Sequence, residues 1–226
     1  MLEMTDCVTC ASSNIAERAR MFHPNVHYLP DSVDLSHFNR LKTPDDFLRG
    51  QLCAIWSGQW DKAVELRPIL GDLKKRNIRL KLITNKQFRL SSHWGLLRYS
   101  YDYVKWRYET FPDEILGGEI CVSYRETDTP YNRGHSFFKI GTFLAQGVPC
   151  LASEVPSYVE LLADGYCGCI CRTREEWNNA LDMLMEDRSV LQRWSANAIE
   201  RMRQYSTENV AARYDTLFKS LTQGGN

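Results

Sequence analysis

From residue 52 onward, short apolar runs alternate with amphipathic stretches, and that alternation restricts the fold more than any other feature of the chain. Residues 52–56 (LCAIW), 78–84 (IRLKLIT), 119–124 (EICVSY), 150–153 and 167–171 have the length and apolar content of strands. Between them, 62–75 carries Val64, Leu66, Ile69, Leu70 and Leu73 at helical spacing, and 137–146 and 157–163 read as shorter helices. The aromatic-rich stretch 96–106 also predicts a helix. Three helices close the chain at 173–187, 190–204 and 207–221, the first with Trp177, Ala180, Leu181, Leu184 and Met185 on one face. Strands alternating with helices predict an α/β fold, a Rossmann-like doubly wound parallel sheet with helices on both faces.

Ahead of this region lie two short apolar runs, 6–11 and 26–29, with Ser12, Ser13 and Asn14 placed to cap a helix between them. Residues 39–51 are polar, contain Pro44, Asp45 and Asp46, and read as a linker. The tail 224–226 is expected to fray.

Composition narrows the function. With 226 residues, 43% of them apolar, the chain can bury a sizeable core. Lys and Arg number 28 and Asp and Glu 28, so no excess of positive charge supports general nucleic-acid binding. No apolar run approaches the roughly 20 residues of a membrane span, and the first residues lack the pattern of a secretory signal. A cytoplasmic, reducing location is therefore expected, with the eight cysteines as thiols. Cys7 and Cys10 have metal spacing but no matching second pair. Cys167, Cys169 and Cys171 alternate at period two, which predicts one strand face rather than a metal site.

In doubly wound sheets, ligands bind outside the carboxyl ends of the strands, where helix N-termini favour phosphate. The first loop to inspect is 57–62, where Gly58 lets a backbone approach a ligand and Lys62 can face a diphosphate. The second is 123–139, dense in cations and hydrogen-bonding groups just ahead of a predicted helix. There Arg133, His135 and Lys139 can neutralise phosphate, and Asn132 and Ser136 can add neutral hydrogen bonds. Lys139 lies one turn inside an otherwise apolar helix, where a buried ammonium needs a partner.

The run 131–153 (YNRGHSFFKIGTFLAQGVPCLAS) resembles the donor-site segment of family 4-like retaining glycosyltransferases, F-N-x-x-K-S-x-x-K-x-x-E-x-x-A-x-G-V-P-V-V-A-S. Tyr131, Asn132, Ser136, Lys139, Ala145, Gly147, Val148, Pro149, Ala152 and Ser153 fall on that pattern in register. Tyr158, Glu160, Gly165 and Gly168 resemble the family's following run, and 28–38 (YLPDSVDLSHF) is similar to its hinge between two halves. The resemblance implies the carboxyl-terminal domain of a GT-B fold. Residues 1–38 would be a remnant of the amino-terminal acceptor domain and hinge, 39–51 the linker, 52–221 the nucleotide-sugar donor domain and 222–226 the tail. It further implies Arg133 and Lys139 as the groups on the diphosphate, with Gly58, Lys62, Glu126, Asn132, His135, Ser136, Thr142 and Glu160 around the donor. No cofactor or metal is implied beyond a nucleotide-diphosphate sugar as donor substrate. The acceptor would be a glycan, lipid or protein, and a second chain or homodimer would supply the acceptor half.

Two departures stand out. Glu126 and Thr142 stand sixteen positions apart where the family has two Glu eight apart, so the intervening loop is longer and the second carboxylate is absent. His135 stands where the branch has Lys. The expected function is donor binding and sugar transfer in glycan or polysaccharide biosynthesis; the alternative is a non-catalytic binding or assembly subunit on the same fold. A sugar-nucleotide epimerase is disfavoured, because no acid–base pair is placed for it.

Overall fold

The computed structural model describes residues 5–86, 100–163 and 165–223. Its centre is a six-stranded, wholly parallel sheet built from β3 (Cys53–Gly58), β4 (Arg79–Thr84), β5 (Asp102–Lys105), β6 (Ile120–Ser123), β7 (Cys150–Ala152) and β8 (Gly168–Ile170). The spatial order is β5-β4-β3-β6-β7-β8. Chain order therefore reverses direction at β3, which pairs with β4 on one side and β6 on the other. That reversal opens a crevice between the carboxyl ends of β3 and β6.

Alternating side chains on each strand feed two apolar layers, because successive residues point to opposite faces. Ala54, Trp56, Leu80, Leu82, Ile120, Val122 and Leu151 pack into one layer with Leu66, Ile69, Leu73, Trp177, Leu181 and Trp194. Ile55, Ile83, Cys121, Cys150 and Ala152 pack into the other with Ile140, Phe143, Leu144, Tyr158, Leu161 and Met202. These partners come from the 3₁₀ turn 60–66 (Leu66), α2 (Arg67–Lys75), α7 (Arg174–Glu186), α5 (Phe138–Ala145), α6 (Pro156–Leu162) and α8 (Ser189–Arg203), which last serves both layers. Helices on both faces are thus required to cover strands that are apolar on both sides.

Two short elements differ from the sequence expectation. Within the stretch read as a helix, residues 100–106 contain β5, an edge strand paired with β4; residues 96–99 lie outside the described residues. Pairing with β4 overrides the local pattern there. The helix expected over 62–75 is instead a 3₁₀ turn, Trp60–Leu66, followed by α2. Pro68 sits at the start of α2, where its missing N–H costs nothing.

The segment expected to be a linker is packed. It contains a 3₁₀ turn, Pro44–Phe47, capped by Thr43 and Asp46, and Phe47 is wholly buried in the first layer. Lys42 is buried against Glu119 at 3.6 Å, and that carboxylate also accepts the Cys53 N–H at 2.7 Å. Ahead of it, β1 (Val8–Cys10) and β2 (Val26–Tyr28) form a two-stranded parallel sheet flanked by α1 (Ser13–Ala19). α1 packs on α6, where Ser13 donates to Glu160. Val33 is buried and bridges Ser206 at the start of α9 (Thr207–Gln223). Cys169 and Cys171 face the first layer as expected, but Cys167 lies in the turn before β8 and packs in the second. The expected single cysteine face therefore holds for two of the three.

Candidate functional site

The crevice at the switch point is a cleft of about 490 Å³. Its lining draws on six places in the chain: the end of β3 and the turn after it (Ser57, Gly58, Gln59, Lys62), the segment from β5 to the start of α3, Phe111–Ile115 (Trp106, Tyr108, Phe111), the loop after β6 (Arg125, Tyr131, His135, Ser136), α5 (Phe138, Lys139, Thr142, Phe143), Tyr158 of α6, and Phe38.

Trp56 and Gly58 set its floor. A Cβ at Gly58 would fall 2.6 Å from the Trp56 ring, so only glycine lets the turn close over the buried indole. Above that ring stands the ammonium of Lys139, 4.2 Å from the centroid, a cation–π contact that partly replaces lost water. Burial lowers the Lys139 pKa to about 8, with the neighbouring Arg125 charge adding to the effect. The expectation of an enclosed lysine facing the Gly58 turn agrees with this placement.

Arg125 follows β6 directly. Its backbone N–H donates to the Ser153 hydroxyl at 2.8 Å, which pins the loop to the end of β7. Its side chain is only 9% exposed and lies 3.7 Å from Glu65. One terminal nitrogen donates to Asn132 Oδ1 at 3.2 Å, and Nε has no hydrogen-bond partner. A buried guanidinium with an unmet donor beside a cleft is a strong candidate for an anionic ligand. Tyr158, whose hydroxyl is buried without a hydrogen bond of normal geometry, lies in the same corner.

His135 is held neutral. Burial first, then the charges of Arg125, Lys139 and Lys62, lower its pKa to about 4. Its backbone carbonyl accepts the Ser157 hydroxyl at 2.6 Å, and its buried Nε2 lacks a partner. Lys62 reaches across from the β3 turn, 5.7 Å from the Tyr131 ring. The N-cap residue of α5, Phe137, makes no side-chain cap; the first helical N–H, of Phe138, donates weakly to the Ser136 hydroxyl at 3.5 Å, and the positive end of the helix lies beside these cations. The rim is aromatic: Trp106, Tyr108, Tyr131 and Phe138 are exposed, and Tyr108 stacks on His37 at 4.0 Å.

Among the residues expected from sequence, Gly58, Lys62, His135, Ser136, Lys139 and Thr142 line this cleft. Asn132 does not; it orders the loop, accepting from Arg125 and donating to the Glu126 carbonyl at 2.7 Å. Glu126 instead borders a shallow cavity with Asp128, Arg172 and Trp177. Arg133 needs correction. α4 (Pro130–Arg133) is a single turn in which residues two apart point about 200° apart. With Tyr131 over the cleft, Arg133 faces away, into a cavity with Glu17, Glu154 and Glu160. Glu160 likewise turns to Ser13 rather than pairing with Lys139. Arg125 and the aromatic rim were missed, although a cation just after a central strand was a readable signal. Its importance depends on β6 lying next to β3, which strand order alone decides. Among the described residues, no cluster of three His, Cys, Asp or Glu is placed to hold a metal. None of the described helices is long and apolar enough to cross a membrane.

Known structures share this architecture. Sucrose-phosphate synthase from Thermosynechococcus elongatus superposes with a TM-score of 0.74 at 16% identity, over 99% of this chain and 60% of that one. Anabaena HepE, solved with UDP-glucose, gives 0.75 at 13% identity, over 97% and 65%. The C-terminal domain of a group 1 glycosyl transferase, LpcC, from Francisella tularensis gives 0.57 at 13%, over 77% of this chain and 99% of that domain. No protein-family model matches the sequence, and no curated protein sequence does. The chain spans less than two thirds of the length of the first two of these structures. Identities this low establish the fold, the parallel α/β sheet of GT-B glycosyltransferase domains.

Proposed function

We propose that this chain is the nucleotide-sugar donor-binding part of a family 4-like retaining glycosyltransferase, and that the cleft at the β3–β6 switch point holds the donor's diphosphate. The carrying observation is the convergence of Lys62, Arg125 and Lys139 on one cleft, among whose described lining residues none is acidic. Glu65 stands nearby as a counter-charge, against Arg125. Three cations less one carboxylate leave about two positive charges, which matches the two negative charges of a diphosphate diester, and the α5 N-terminus adds roughly half a unit more. The solved relatives that carry UDP or UDP-glucose supply the nucleotide-sugar class by analogy.

The arrangement suits phosphate departure. As the sugar leaves, charge builds on the diphosphate, and fixed cations in a partly dry cleft stabilise it without reorganising. Lys139 and Arg125 are the groups placed for this, with Lys62 closing from the rim; neutral His135 and Ser136 offer hydrogen bonds at the helix start. The aromatic rim offers a plane for the base. Residues 52–221 would form the donor domain, and 1–38 would be the edge of an acceptor domain completed by further polypeptide. The acceptor would be a glycan, lipid or protein.

Calorimetric titration with uridine, guanosine and adenosine diphosphates and their sugars tests the reading. At least one diphosphate should bind, and Arg125→Ala and Lys139→Ala should each weaken it while leaving nucleoside binding nearly unchanged. Unchanged diphosphate affinity in both variants would overturn it. A bound donor that is never hydrolysed or transferred would favour the second reading, a non-catalytic binding subunit. That reading draws on the described lining residues, among which no carboxylate stands to act as base or nucleophile.

A further inference from the structure

We infer that Glu65 sets the charge preference of the cleft, favouring a sugar-bearing diphosphate over the free nucleoside diphosphate, whose terminal phosphate carries about one more negative charge at neutral pH. The inference rests on the donor-site reading and deepens it. Glu65 belongs to the 3₁₀ turn Trp60–Leu66. Side chains three apart eclipse in such a turn, so Glu65 stands in line with Lys62, which lines the cleft. Its side chain is 17% exposed, and Oε1 lies 3.7 Å from the Arg125 guanidinium, an ion pair too long for a hydrogen bond. Oε2 is buried without a hydrogen-bond partner, and so is Arg125 Nε. Burial and the Arg125 charge lower the Lys139 pKa while the Glu65 charge raises it, so this carboxylate acts on Lys139 as well.

One charge then has two effects. In the empty cleft it offsets Arg125 and Lys139, cations that repel each other and are costly to bury. In the occupied cleft it repels the ligand, and the repulsion grows with each charge the ligand brings. Asn132 Oδ1 already holds the same guanidinium through a hydrogen bond at 3.2 Å, which leaves Glu65 to act through charge. A phosphate on the far side of the guanidinium would stand about 8 Å from Glu65. There one charge is worth up to about thirtyfold in affinity at an effective dielectric of about 20, and a few fold after screening by salt. Sugar transfer leaves the free diphosphate behind with the additional charge, so Glu65 weakens the hold on this product relative to the donor. Lys62, Arg125 and Lys139 together outweigh one carboxylate, so the donor is still attracted.

The test compares a nucleoside diphosphate with its glucose ester by calorimetry on the full chain, using the uridine, guanosine and adenosine pairs in turn. Glu65→Gln should strengthen both ligands, and the free diphosphate by about three- to thirtyfold more than the ester. A change in folding or in Lys139 protonation is common to both ligands and cancels in that ratio. Asn132→Asp places a second carboxylate against Arg125 and should move the ratio the opposite way; it decides alone if Glu65→Gln does not melt cooperatively. A ratio within about twofold of wild type, or a shift in favour of the ester in Glu65→Gln, overturns the inference. The donor-site reading then stands as long as Arg125→Ala still weakens both ligands. If none of the six ligands binds the wild-type chain, the donor-site reading itself is lost and this inference with it.

Discussion

Lys139 couples the cleft's charge to pH in two opposite ways. In the unfolded chain its ammonium titrates near the ordinary value of 10.5, whereas in the folded chain burial brings it to about 8. Between these values the unfolded state binds more protons, so this residue makes stability rise with pH from about 8 to about 10.5. An anionic ligand needs the charged form, so affinity should fall as pH rises through about 8. Melting and binding curves of wild type and Lys139→Met across this range check both signs, since only the wild type should show them. At neutral pH, Lys139→Ala should weaken diphosphate binding by about 1.5–3 kcal/mol, the range for a hydrogen bond to a charged group. The same variant should melt no lower than wild type, because it removes an ammonium that burial penalises. His135 behaves differently: with its pKa near 4, it contributes no charge to the free cleft at neutral pH.

At the scale of elements, the cleft depends on two closely fitted turns. The β3 turn passes over Trp56 only because residue 58 lacks a Cβ. Gly58→Ala forces the indole or the turn to move, and overpacking of this kind costs about 1–3 kcal/mol. Displacing the indole also displaces the surface under Lys139, so denaturant melts should show lost stability together with weaker diphosphate binding. The segment 39–51 looks dispensable by composition, yet Phe47 is wholly buried beside α8. Phe47→Ala should therefore cost about 3–5 kcal/mol in chemical denaturation, far more than a surface linker substitution. A change below about 1 kcal/mol would show that this segment is only loosely attached.

Over the whole molecule, stability is unevenly distributed. The six-stranded sheet is covered on both faces, whereas β1 and β2 make an isolated pair whose residues are mostly half-buried. Two strands are marginal without further partners. Hydrogen exchange should reflect this, with amides of β3, β6 and β7 opening only on global unfolding and those of β1 and β2 exchanging sooner. Equal protection in both sheets would mean that α1 and α6 bind the pair more firmly than its size suggests. The same unevenness bears on assembly, because an open strand edge is a template for further strands.

Periodicity by itself determined the α/β class, five of the six strands of the main sheet and the three closing helices, since apolar spacing encodes which faces must be buried. It also placed Gly58, Lys62, His135 and Ser136 in loops at strand ends and Lys139 in the first turn of the helix that follows, because side chains just beyond a strand and at a helix start stay near one another in sequence. What it could not decide was which strand ends are neighbours. That β6 lies against β3, bringing Arg125 to Lys139 and Lys62, follows from pairing across tens of residues. That Arg133 turns away from the cleft follows from the phase of the one-turn α4, and Glu160 faces α1 because α6 packs against it. Edge strand β5 was hidden for the same reason: its backbone hydrogen bonds, not its own apolar pattern, hold it extended. Local spacing fixes which residues can share a face, and only long-range packing chooses the face opposite.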